Sequence, residues 1–96
     1  MGYTSIQSQL RRFGGAVLRA KIKRMNLETR FRFLLNVVGN EKLNSVTANF
    51  LNRHFRKEIE AMVIASIKFG VIIVTDYETL EFMRLTYQNL GKAPIT

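Results

Sequence analysis

The stretch 45-SVTANFLNRHFRKEIEAMVIASIKF-69 decides how the chain is read. In it Ala48, Leu51, Phe55, Ile59, Met62, Ser66 and Phe69 recur at intervals of three and four residues, the repeat of one face of an α-helix. The repeat predicts a single helix of about six turns starting at Ser45. Asn49, Arg53, Arg56 and Glu60 occupy its opposite face. Beyond Ala61 that face also turns apolar, through Val63, Ile64 and Ile67, so the second half of the helix is expected to be buried all round.

On the C-terminal side, Gly70 stops the pattern and Val71, Ile72, Ile73 and Val74 form a β-branched run of strand type. No other segment reads as a strand, so this one would pair with another chain. Thr75 and Glu78 have the spacing of a capping box, and Leu80, Met83, Tyr87 and Leu90 form one face of a last helix closed by Gly91 and Pro94.

On the N-terminal side, Asn26 is placed to cap a helix whose inner face is Leu27, Phe31, Leu34 and Val38, with Gly39 at its end and a loop over 40–44. Before it, Thr4 and Gln7 form another capping-box pair, followed by the stripe Ile6, Leu10, Phe13 and Val17. After Gly14 and Gly15 the apolar set changes to Leu18, Ile22 and Met25, about 100° around the helix, which marks a kink or a close backbone approach. The expected fold is mainly α, with four to five helices, a glycine kink near 14–15 and one short β-strand at 71–74 (α+β). It makes a single small domain over 1–96, with a basic helical arm at 1–25 and a helical body at 26–96.

The apolar fraction of 47% and charged fraction of 23% over 96 residues belong to an ordinary folded chain. Such a chain buries roughly 60–65% of its unfolded surface, too little for a deep enclosed active site. Without cysteine there is neither a disulfide framework nor a thiolate metal site, which fits a reducing compartment. The N-terminus lacks the continuous apolar core of a secretory signal. Residues 4–25, acid-free and rich in Arg, Ser and Gln, have the composition of a mitochondrial targeting segment, here expected to be kept as part of the structure. The expected location is intracellular, in cytoplasm or mitochondrion. The apolar run 61–75, with Lys68 inside it, would extend ~22 Å as a helix against a hydrocarbon core of about 30 Å, which disfavours spanning.

Charge is the strongest functional signal. The chain carries a formal +8, and its first acid is Glu28, preceded by Arg11, Arg12, Arg19, Lys21, Lys23 and Arg24. On a continuous helix Arg12, Arg19 and Lys23 would share a face and could follow a phosphate backbone with forked guanidinium contacts. Arg53, Arg56 and Lys57 would extend this basic surface from the long helix. Basic and aromatic residues also alternate in Arg30-Phe31-Arg32-Phe33 and His54-Phe55-Arg56-Lys57, a pattern able to stack single-stranded bases. Phe31 and Phe55, however, belong to apolar stripes and read as core.

Catalytic chemistry has little to stand on. His54 is the only histidine, and Glu58, four residues on, would pair with it on one exposed helix face without a nucleophile or second base beside them. No metal-ligand cluster, phosphate loop or cofactor motif is present. The sequence therefore points to a non-catalytic structural subunit of a larger assembly, binding RNA or DNA in a ribonucleoprotein or virion and contacting other protein subunits, without cofactor, metal or small-molecule substrate. The alternative is an accessory subunit of a mitochondrial membrane complex, its basic N-terminus on anionic lipid and 61–75 at the membrane or a subunit interface.

Overall fold

The protein, seen in a computed structural model, is described over residues 5–70 and 77–92. Six helices are found among these residues: α1 (Ile6–Phe13), α2 (Gly15–Lys23), α3 (Leu27–Asn40), α4 (Ser45–His54), α5 (Arg56–Phe69) and α6 (Tyr77–Leu90). The mainly-α expectation holds, while the count of four to five is corrected to six. No strand occurs among the described residues, and the expected strand at 71–74 lies outside them, as do Thr4 and Thr75 of the two capping boxes.

Local chemistry sets three of the helix starts. The side chains of Ser5, Asn26 and Asn44 accept the backbone N–H of Ser8, Thr29 and Thr47, each satisfying a donor that the first helical turn leaves unpaired. α1 is additionally held by the α3–α4 loop. The Glu41 carboxylate accepts the Ile6 N–H at 3.1 and 3.2 Å, placing an anion at the positive end of the helix. Gln7 donates to the Lys42 carbonyl at 3.1 Å and accepts the Asn44 N–H at 2.6 Å. Gln7 thus serves the loop.

Gly14 separates α1 from α2 with φ +84° and ψ 163°, a backbone conformation open essentially to glycine alone. The stripe read as Ile6, Leu10, Phe13 and Val17 ends there. Ile6 is buried and Leu10 partly so, but Phe13 and Val17 are exposed, and Leu18 and Ile22 take over the inward face of α2. In α3 the inward set is Phe31, Leu34 and Val37, so Val38 faces out where the sequence placed it inside.

The single long helix over 45–69 is also corrected. Phe55, at φ −129° and ψ 36°, leaves helical geometry while its N–H still bonds the Leu51 carbonyl at 2.8 Å and its carbonyl accepts the Ile59 N–H at 2.9 Å. The Phe55 ring is fully buried, edge-on to Phe50 at 6.0 Å. Past this break the buried set becomes Glu58, Ala61, Met62 and Ala65, one position round from the expected Ile59, Met62, Ser66 and Phe69. The small Ala61 and Ala65 let α6 lie close along α5, against Leu80 and Met83, with Phe69 and Phe82 edge-on at 5.3 Å. The outward face keeps Val63, Ile64 and Ile67 exposed, Ile67 by 79%. Burial all round is thereby overturned: one neighbouring layer covers one side of α5 only.

Glu58 joins three helices. It is 1% exposed and accepts from Arg30 Nη1 at 3.0 Å, while Arg30 Nη2 donates to the carbonyls of Lys23 and Met25 at 3.1 Å each. Lys23 Nζ stands 3.7 Å from the same carboxylate, and Arg30 Nε is buried without a hydrogen-bond partner. The arrangement ties the α2–α3 turn to the start of α5. Removing one member of a buried pair leaves a charge uncompensated and costs about 3–5 kcal/mol. Glu58→Gln, which keeps one acceptor, is expected to lower stability to urea unfolding by about 3 kcal/mol. Replacing both partners with apolar residues, Glu58→Leu with Arg30→Met, should still leave the protein about 2 kcal/mol short, because two carbonyls lose their donor at about 1 kcal/mol each.

Candidate nucleic-acid interface

The break at Phe55 and the glycine joint together bring α2 across the end of α4. At the start of α2, Gly15 lies so near the Phe50 ring that a Cβ there would stand 3.4 Å from it. Two turns later Lys23 Nζ sits 5.0 Å from the centre of the Phe55 ring. Arg19 is four residues from each, on the same helix face, and so projects between those two contacts. His54 occupies that interval on α4, half-buried with its ring 5.1 Å from Phe50.

This places Arg19, Lys23, Arg53 and His54 in one cluster built from two helices. Its electrostatics register on the imidazole. His54 is held below its ordinary value of 6.5, first by partial burial and then by the positive charges of Arg19, Arg53 and Lys23. Folding disfavours the protonated ring relative to the unfolded chain. The pairing of His54 with Glu58 expected from their spacing is not formed, because the break at Phe55 puts them on different helices and Glu58 turns inward to Arg30.

The other basic residues are distributed. Arg11 and Arg12 are exposed at the end of α1, with the Arg12 guanidinium 5.3 Å from the Phe13 ring, and Gly14 takes Arg12 out of line with Arg19 and Lys23. Lys21 reaches Gln9 at 3.4 Å, Arg24 is exposed, and Lys23 divides its charge between Glu58 and the cluster. Arg56 pairs with Glu60 at 3.1 Å, and Lys57 turns to α6, 4.8 Å from the Tyr87 ring. Of the basic residues expected from the α4–α5 stretch, only Arg53 joins the cluster. Among the described residues no carboxylate lies within ion-pair distance of Arg11, Arg12, Arg19, Lys21, Arg24 or Arg53.

Phe31 and Phe55 are core residues, exposed by 1% and 0%, and Phe33 packs partly against them. Neither buried ring is available to stack a base. Among the described residues no group of three or more His, Asp or Glu could hold a metal ion, and no helix is long and apolar enough to cross a membrane. Comparison with protein families, curated proteins and solved structures gave no match.

His54 was singled out in the sequence for a different partner. The residue that links it to α2 is Gly15, which packs on the Phe50 ring four residues before Arg19.

The depressed His54 titration gives stability a pH dependence of known sign. Because the unfolded chain binds this proton more readily, the contribution is fully present above pH 6.5 and is lost as pH falls through the window below it. Unfolding midpoints in urea measured between about pH 7 and about pH 5 should fall less steeply for His54→Gln than for the wild type.

Proposed function

We propose that the protein is a non-catalytic structural subunit of an intracellular nucleic-acid-containing assembly, such as a ribonucleoprotein particle or a virion, and contacts RNA or DNA phosphates through α1, α2 and the end of α4. The observation that carries this reading is the cluster of Arg19 and Arg53 on adjacent helices with no carboxylate in ion-pair reach among the described residues, continued by Arg11, Arg12, Lys21 and Arg24. Lys23 contributes through the charge that Glu58 leaves uncompensated. Guanidinium groups on a rigid scaffold meet phosphate oxygens in forked geometry, and the absence of nearby acids keeps the local potential positive. Arg56 and Lys57, engaged by Glu60 and Tyr87, stand at the edge of this surface.

Farther along α5 the exposed Val63 stands near Val38 of α3, and Ile64 and Ile67 are exposed on the same helix. Leu35, Val38, Ile59, Met62, Val63 and Ser66 line a shallow groove there. An apolar surface of this kind suits contact with other protein subunits of the assembly. The molecule then joins a polyanion at one end and protein at the other.

A second reading places the basic surface on anionic lipid, as an accessory subunit of a membrane complex. It is favoured by Phe13 and Val17, exposed by 49% and 57% beside Arg11 and Arg12, the combination by which helices rest at a lipid interface.

A salt titration of binding to RNA and to duplex DNA tests the first reading. With about four to six phosphates neutralised, log affinity should fall against log salt with a slope of about −3 to −5. Arg19→Gln and Arg53→Gln should each flatten that slope by about one. No binding at low salt would overturn the reading, and flotation of the protein with anionic liposomes would then support the second.

A further inference from the structure

His54 stands where α2 crosses the end of α4, in the interval between the Gly15–Phe50 and Lys23–Phe55 contacts. Arg19 and Lys23 approach it from α2 and Arg53 from its own helix, while the Glu58 carboxylate of α5 is occupied by Arg30 and Lys23. The residue is only half-buried, so part of it remains open to a ligand at the surface. A single anion set against Arg19 and Arg53 would therefore lie beside an imidazole whose protonation is disfavoured first by partial burial and then by those same cations.

We propose that Arg19, Arg53 and His54 form one phosphodiester-binding cradle between α2 and α4, and that seating a nucleic-acid phosphate in it places a proton on His54. This rests on the nucleic-acid reading above and adds to it a defined seat and a regulator. The bound phosphate cancels the field of the two guanidiniums and offers the protonated ring an acceptor, so the imidazolium becomes the favoured form once the cradle is filled. By reciprocity, whatever makes ligand favour the proton makes the proton favour ligand, and binding tightens on acidification. The linkage operates between the two titrations, that of the unoccupied ring, lowered by burial and by Arg19, Arg53 and Lys23, and the higher one of the occupied ring.

The chain suits a clean measurement, since it holds one histidine and the N-terminal amine titrates higher, near pH 7.7–8. Binding of a short single-stranded RNA oligonucleotide at fixed salt should strengthen up to about tenfold between about pH 7 and about pH 5.5, the limit for uptake of one proton being tenfold per unit. His54→Gln, whatever its affinity at about pH 7, should change that affinity by less than about twofold across the range. Arg11→Gln with Arg12→Gln should weaken binding at every pH and leave the pH dependence intact. In the unsubstituted protein, the His54 ring protons followed by NMR should titrate at higher pH with RNA present than without it.

RNA binding that is salt-dependent but equally pH-dependent in wild type and His54→Gln, or flat in both, overturns the cradle and leaves the nucleic-acid reading standing. An NMR titration unmoved by saturating RNA overturns it as well. Absence of RNA binding at low salt across the pH range removes both. A titration that shifts with anionic vesicles but not with RNA assigns the seat to lipid headgroups and overturns the proposal.

Discussion

The buried Glu58 carboxylate, held by Arg30, is the contact on which the arrangement of the helices depends. Arg30 is at once the partner of an acid on α5 and the donor to two carbonyls in the turn between α2 and α3. A basic helix repelled by nothing and attracted by nothing would have little to orient it. Here the end of α2 is fastened through its backbone, and Lys23 is drawn down over Phe55 by the same carboxylate. The desolvation of Glu58 and Arg30 is costly, and their mutual hydrogen bonds offset it only in this geometry. What the pair supplies is orientation more than net stability: the position of Arg19 over α4 follows from it.

Helix existence was legible because the apolar intervals are regular, and the start of α3 was legible because Asn26 is a strong capping residue. The break at Phe55 was not. Neither glycine nor proline marks it, and the three-four rhythm runs through it unchanged from Leu51 to Met62. It arises from tertiary demands: Phe55 must fill the core beside Phe50 while Glu58 must reach Arg30, and no straight helix does both. The same one-residue rotation explains why Glu58 and Ala65 are fully buried while Ile59 is only partly buried and Ser66 is exposed. A buried glutamate is invisible to any pattern that counts apolar positions.

At the candidate site the individual cations were legible and their grouping was not. Spacing on a continuous helix joined Arg12 to Arg19 and Lys23, but Gly14 turns the chain between them. Arg53, far away in sequence, was assigned to a flank and stands in the cluster itself. Arg56 and Lys57, counted with it, are turned aside by Glu60 and Tyr87. His54 had been matched to Glu58 by a four-residue interval that holds only within one helix. Long-range packing through Gly15 and Phe50 decides these assignments, and only a folded chain displays it.

The glycine joint at position 14 divides the basic surface into two mechanical parts. α2 carries Leu18 and Ile22 in the core, whereas α1 contributes Ile6 as a fully buried side chain, packs Leu10 partly against the core and is further moored by polar contacts from Glu41 and Gln7. Arg11 and Arg12 thus stand on a short outrigger set at an angle to the keel that carries Arg19, so the two groups of cations present themselves to a polyanion from different directions.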